Sequence, residues 1–297
     1  MTQILAALTH EYVLVASDRQ LTFTSGLHKG EIADDNTCKL VSLCGVWGIA
    51  YTGFSQLQGV PTHEWIAVRL AENGCRSPYV AVQILADSAP SALRAAPFLL
   101  ELTFLIAGWT RLADHKTLQP HFLLVSNMHE RDGKLRPSPG SDFHFFERRL
   151  KAEEVYVSRV IGQPLPNGRG KYLDRFLRRL LKHKIGPKPA MQAFANEIIN
   201  TSRSKGTVGQ KILAFSIPKA AAERTYQTGN YVLLAMEPDR CNIAFCYFDP
   251  VYSQLRQYGP TSTCGESAVT DIVTENDPAR DYQSSSVRLL HLPKPKS

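Results

Sequence analysis

Four residues in the first fifty-three of this 297-residue chain have side chains, or the lack of one, suited to acyl chemistry: Thr2, Asp18, Lys39 and Gly53. A threonine at the head of a chain holds a hydroxyl nucleophile and a free α-amine in one residue, once the residue before it is trimmed. Met1 followed by a small residue is the usual setting for trimming, so the mature chain is expected to begin at Thr2. The hydroxyl alone is a poor nucleophile at neutral pH and needs a base. An α-amine has an unperturbed pKa of about 7.7–8.0, close to working pH. A lysine ammonium beside the hydroxyl lowers the cost of the alkoxide, and a carboxylate secures the lysine. A glycine lets its backbone N–H approach a developing oxyanion unobstructed. Singly, each residue has an ordinary use. Asp18-Arg19 reads as a surface ion pair, Lys39 as edge protection and Gly53 as a turn residue. Their order and spacing behind Thr2 make the combination.

The elements that must position these residues follow from the apolar pattern. Residues 2–8 read as a strand, 9–11 as a polar turn and 12–17 as the returning strand, leaving Asp18 at a strand end. Residues 39–43 and 46–51 make a second hairpin around Cys44-Gly45, with a polar loop at 21–35 before it. Helical spacing begins after Gly53, with Trp65, Ile66, Val68 and Leu70 and a stop at Gly74. A second helix spans 79–96, bent at Pro90. Strands return at 102–109 and 121–126, around a turn at 114–116. Residues 131–153 read as irregular and 155–161 as a strand. After Gly168, Tyr172, Leu173, Phe176, Leu177, Leu180 and Leu181 form one apolar stripe, opposite a face rich in Arg and Lys. Another amphipathic helix spans 188–201. Strands follow at 211–217, 231–236 and 243–248. This order predicts an α+β fold: a four-layer αββα sandwich of two mostly antiparallel sheets. Residues 1–220 form the domain, 221–258 add strands to it, and 259–297 are expected as a loosely ordered tail.

The segments Thr2-Gln-Ile-Leu-Ala-Ala-Leu, Val13-Leu-Val-Ala-Ser-Asp18-Arg19, Cys38-Lys39-Leu and Ala50-Tyr-Thr-Gly53-Phe-Ser-Gln resemble the start of proteasome β subunits and their bacterial heat-shock relative. Those belong to the N-terminal nucleophile hydrolases. The motif-level likeness covers residues 2–59, and the element order agrees to about residue 220. The loop before Lys39 is a few residues longer than is usual there. The resemblance implies a threonine-type peptidase or amidase, with Thr2 as nucleophile, its own amine as base, Lys39 and Asp18 in support and Gly53 as oxyanion donor. It implies a peptide or small amide substrate, no cofactor, and a homo-oligomer, rings included. It leaves open an ATPase partner. Downstream the sequence departs from the family. The family's serine near the nucleophile would fall in Val160-Ile-Gly162-Gln163-Pro164, where Gln163 is the substitute. The family's aspartate and serine would fall within 202–209, where Ser204 and Thr207 stand in their places. These departures motivate an alternative, a catalytically silent scaffold like the α-type proteasome subunits.

Composition limits the other classes. With 43% hydrophobic and 21% charged residues the chain is globular rather than disordered. The net charge of +7 comes with no RNP, zinc-finger or helix-turn-helix pattern. The excess concentrates in residues 169–182 and the tail, so it is read as solubility or an assembly surface rather than nucleic-acid binding. The six cysteines form no CxxC pair and have no His at zinc spacing, so no metal is expected. His63, His121 and His144 lack partners at a recognisable spacing. No secretory leader and no apolar run of about 18 residues are apparent. A reducing cytoplasm with free thiols, and no membrane, is the expected setting.

Overall fold

Strands β1 (Gln3–Thr9) and β2 (Tyr12–Asp18) are buried along their whole length in the computed structural model. That is why their sequences are apolar runs rather than alternations. One face carries Ile4, Ala6, Leu8, Val13 and Val15 into the larger core. The other carries Leu5, Ala7, Leu14 and Ala16 into a second core beneath two helices. The tight connection is closed by Thr9, whose hydroxyl accepts from the Tyr12 N–H at 2.8 Å and donates to the Tyr12 carbonyl at 2.6 Å. Pairing Ile4 with Ser17 places Asp18 beside the first residues of β1.

The structure describes residues 2–228 apart from 24–26, 36, 44–45, 74, 76, 95–99, 113–116 and 131–133, and then the backbone strands 244–249, 254–263, 266–274 and 286–290. Met1, the turn at Cys44-Gly45, the helix stop at Gly74, the end of the second helix, the turn at 114–116, the expected strand at 231–236 and the last residues of the tail lie outside it.

Two short strands, β3 (Leu21–Thr22) and β4 (Ile32–Asp34), pair within the stretch expected as a loop. Then come β5 (Leu40–Leu43), β6 (Trp47–Gly53), the small pair β7 (Gln56–Leu57) and β8 (Val60–Pro61), and helices α1 (Thr62–Glu72) and α2 (Pro78–Leu93). Helix α2 is capped by Ser77, has Pro78 in its first turn and carries Pro90 in its last. Strands β9 (Leu102–Arg111), β10 (Leu118–Ser126), β11 (His144–Arg149) and β12 (Tyr156–Gly162) follow. After them come α3 (Arg169–Lys182), α4 (Pro187–Ser204), β13 (Ile212–Pro218) and α5 (Lys219–Thr228). The backbone then continues through β14 (Ala244–Asp249), β15 (Gln254–Thr263), β16 (Glu266–Thr274) and β17 (Ser286–Leu290). The expectation of an irregular 131–153 is therefore corrected by β11. Strands β15 to β17 fall largely within the stretch expected as a loose tail from 259.

The hydrogen-bonded path runs β11-β10-β9-β6-β5-β15-β14-β13-β2-β1-β12, with β16 and β17 branching from β15. Two antiparallel halves meet at a short parallel contact, Thr261 with Ser42 and Ser262 with Leu43. The expected pair of sheets is thus joined into one ladder. The halves also lie face to face, since β1 and β2 contact β6 and β9. Phe215 of β13 packs directly on Gly48 of β6, where an added Cβ would fall 1.9 Å from its ring. The Trp109 indole N–H donates to the Ile217 carbonyl at 2.9 Å, tying β9 to β13.

Helices α1 and α2 contribute Trp65, Ile66, Leu70, Ala81 and Leu85 to the larger core. Helix α3 buries Leu173, Leu177 and Leu180 at helical spacing, while Tyr172 of the expected stripe is exposed and stacks on Phe176. Helix α4 buries Met191, Phe194 and Ile198, and its buried Glu197 pairs with Arg169 of α3. Among the described residues no helix is long and apolar enough to cross a membrane.

Candidate active site

Lys39 stands at the entrance to β5 and is completely buried. Its ammonium donates to three acceptors: the Thr2 hydroxyl at 2.8 Å, the Asp18 carboxylate at 3.2 Å and the Gln20 carbonyl at 2.6 Å. Three N–H groups meet three acceptors, so the charged form is fully satisfied. Burial still pushes the Lys39 pKa down, because the charge has been taken out of water; the Asp18 carboxylate works against that shift.

Asp18 is held as firmly as it holds. One carboxylate oxygen accepts from the Gln3 N–H at 2.8 Å. The other accepts from the N–H groups of Gln20 at 3.1 Å and Gly209 at 3.2 Å, besides Lys39. Strand β1, the turn after β2 and the segment after α4 therefore converge on one carboxylate. Gly209 has no room for a side chain, as a Cβ would fall 2.5 Å from the Gln20 Cβ.

The backbone of Thr2 is fixed from the opposite side. Its carbonyl accepts from the Gln163 N–H at 2.9 Å, and the Gln3 side chain donates back to the Gln163 carbonyl at 2.9 Å. Gly162 makes this approach possible. Its φ is +77°, and a Cβ there would lie 2.1 Å from the Thr2 carbonyl oxygen. Gly53, with φ +112°, ends β6 against the Glu101 carbonyl, where a Cβ would fall 1.9 Å away.

Thr2, Gln20, Gly53 and Gly162 line one cleft of about 1150 Å³. Its apolar walls include Phe54, Leu105, Phe122 and Ile161, and its charged lining includes Glu101, Arg148 and Arg159. A hydroxyl beside a buried ammonium, at the floor of a cleft of this size, is an arrangement that can present an oxygen nucleophile to a carbonyl.

The structure thus brings Thr2, Asp18 and Lys39 into hydrogen-bonded contact and sets Gly53 on the same cleft. Gln163 reaches Thr2 through its backbone. Ser204 is not brought in: it is exposed and its hydroxyl bonds to the Thr201 carbonyl of its own helix at 2.9 Å. It lies in the last turn of α4, before the chain bends in towards Asp18, so no carboxylate substitute comes from there. Thr207 is half-buried in the segment between Gly206, which accepts from the Gln20 side chain, and Gly209. Sequence reasoning missed Gln20 and Gly209, which act through main-chain atoms that residue type does not reveal. Cys38, adjacent to Lys39, is buried with its thiol directed to the Leu40 carbonyl at 3.1 Å. His121 and His144 have partners, in Tyr79 and Arg136. No group of three or more His, Cys, Asp or Glu among the described residues is arranged to hold a metal ion.

No family model matches this chain, and no curated protein matches it. Solved structures do. The Anbu (Gly-1) mutant from Hyphomicrobium sp. strain MC1 is similar at 16% identity and a TM-score of 0.44, over 72% of this chain and 80% of that one. Anbu from Yersinia bercovieri, titled an ancestral β-subunit, is similar at 17% identity and a TM-score of 0.43, over 73% and 81%. Likenesses of this size assign no activity.

Proposed function

We propose that this chain is an amide-bond hydrolase whose nucleophile is the hydroxyl of Thr2, freed at the head of the chain by loss of Met1. The observation that carries the reading is the 2.8 Å hydrogen bond from the buried Lys39 ammonium to the Thr2 hydroxyl, on the floor of a cleft. The Thr2 amine, directly or through a water, takes the hydroxyl proton as the oxygen attacks the substrate carbonyl. Lys39 opposes the charge that develops on the threonine oxygen, and the Gly53 N–H serves the new oxyanion. The amide C–N bond then breaks, the leaving amine takes the proton held on the Thr2 amine, and an ester to Thr2 remains. Water, deprotonated by the same amine, hydrolyses that ester and restores the threonine.

Asp18 is a positioning residue in this scheme. It touches Lys39 and the backbone, not the reacting atoms. The packing of α1–α2, two strand layers and α3–α4 fits a four-layer αββα sandwich, and assembly into a homo-oligomer fits the resemblance of residues 2–59. Both belong to the proposal, as does the reading of residues 221–258 as part of the same domain as 1–220. Peptides or small amides are the substrate class.

A second reading, a silent scaffold, is favoured by one observation: Ser204, standing where the family has an aspartate, is exposed and bonded to its own helix. Turnover separates the two. Wild type is expected to hydrolyse members of a fluorogenic peptide-amide panel, and Thr2→Ala to lose at least about 10³-fold in rate, as nucleophile removal does elsewhere, with an unchanged melting temperature. A folded Thr2→Ala with wild-type turnover overturns the proposal, and a panel untouched by wild type supports the scaffold.

A further inference from the structure

We propose that the Thr2 cleft carries, at its far end, a subsite for an anionic group of the substrate, formed by Arg159 and His129; this rests on reading the cleft as the substrate site. Both residues line the cleft. Arg159 lies on β12 opposite Ala6, on the face that carries Ile161 and Val157 towards the larger core. It is exposed, and among the described residues it has no hydrogen-bond or ion-pair partner. The other cleft arginine, Arg148, is already paired with Glu154. An arginine fork with no carboxylate of its own, in a cleft, is placed for a planar anion.

His129 is held as a built group rather than a loose one. The Ser126 hydroxyl lies 3.0 Å from its Nδ1, receives the Met128 N–H at 3.0 Å and meets the Thr103 hydroxyl at 2.7 Å. The Phe146 ring contacts its edge, with centroids 5.6 Å apart. Burial, and then the nearby Arg159 charge, keep its pKa below the ordinary value, so at neutral pH it is an uncharged hydrogen-bonding partner. A bound anion would offset the Arg159 charge and favour the protonated imidazole. The charged groups around it are Arg159 on β12, Arg148 and Glu147 on β11, and Glu101 before β9, all of which line the cleft.

The position of the subsite sets its reach. Gly162 abuts Thr2, and Arg159 is three residues back along β12, about 10 Å at the usual strand rise. Three residues of extended peptide cover the same distance. Near Thr2 itself the charges are mixed, with the Lys39 ammonium 2.8 Å from its hydroxyl and Glu101 on the cleft wall. Glu101 packs its carbonyl against Gly53, and its carboxylate has no ion-pair partner among the described residues. An acidic group is therefore favoured about three residues from the reacting carbonyl, where Arg159 stands. The substrate class is an acyl or peptidyl amide bearing a carboxylate at that remove.

The test uses full-length Thr2→Ala, which binds without turnover, and acetylated hexapeptide amides that carry one Glu, Gln or Lys at each position in turn. One position is expected to favour Glu over Gln by roughly fivefold, as for a partly exposed ion pair, with Lys weaker than both. The preference should sharpen as pH falls and His129 takes up its proton, and His129→Gln should flatten that pH dependence. Arg159→Glu should reverse the order, so that Lys binds best at the same position, a result that general loosening of the fold cannot produce. Absence of a Glu preference at every position, or a Glu preference that survives Arg159→Glu, overturns the subsite. Failure of the hydrolase reading shows separately, as a wild type without turnover that still binds Glu peptides.

Discussion

At the scale of the residue, the site is an arrangement of satisfied groups in which Thr2 is the part left facing a cleft. Lys39 gives all three hydrogens away, Asp18 accepts from three backbone N–H groups and one ammonium, and neither is exposed. Such a pair is costly to break on one side, because the partner stays buried and charged. Lys39→Ala is expected to abolish turnover and to lower stability by about 3–5 kcal/mol in urea unfolding, the usual range for half of a buried pair. A fully stable, active Lys39→Ala would contradict the arrangement. The contact of Thr2, Asp18 and Lys39 was legible in the sequence because it is made through side chains of distinctive type, the Lys39 ammonium meeting the hydroxyl and the carboxylate. The Gln20 carbonyl, the Gly209 N–H and the Gly162 backbone were not, because main-chain groups carry no residue signature. Ser204 shows the opposite failure: a plausible type at a plausible place, on a helix that ends before it reaches the site.

At the scale of the element, sequence period identified those strands and helices that are uniformly buried or strongly amphipathic. Strands β1 and β2, and the Leu173–Leu177–Leu180 stripe of α3, stand where expected. Strand β11 was hidden because it is an edge of alternating exposure, His144-Phe-Phe-Glu-Arg-Arg, preceded by Pro137 and Pro139. Helix α5 was hidden because it follows Pro218 of β13 directly and its Ala220-Ala-Ala run has no apolar period. Strand β15 was hidden by Gly259 and Pro260, although the threonines around them suit a strand. The contact of α2 with β10 and β11 carries a titratable device. His121 of β10 is buried beside Tyr79 of α2 and Glu147 of β11, and Arg149 lies nearby. Burial first, and then Arg149, push its pKa from 6.5 to about 4. The unfolded chain therefore takes up this proton before the folded one does. Its contribution to stability is present in full above about pH 6.5 and is lost as pH falls towards about 4. His121→Gln is expected to flatten the melting temperature across that window, and an unchanged slope would contradict the assignment.

At the scale of the whole molecule, two antiparallel halves are folded face to face, and the first residues of β1 lie where the ends of several strands meet. Thr2 is approached by β5 through Lys39 and by the end of β12 through Gly162 and Gln163, while Asp18 at the end of β2 holds Lys39 and the Gln3 N–H. The resemblance of residues 2–59 implied that Asp18 and Lys39 would gather at Thr2. It did not predict that β15 would join the halves, since the pairing of Thr261 with Ser42 links residues far apart in the chain by backbone groups alone. The cleft between the halves was equally invisible, because Glu101, His129 and Arg159 come from separate elements with no common spacing. The central claim concerns the first residue of the working chain, and peptide mapping after exposure to a threonine-directed electrophile tests it directly. The account predicts one adduct, on an N-terminal peptide that begins at Thr2 and lacks Met1. An adduct on any other peptide, such as one containing Cys38, or an active chain that retains Met1, would contradict it.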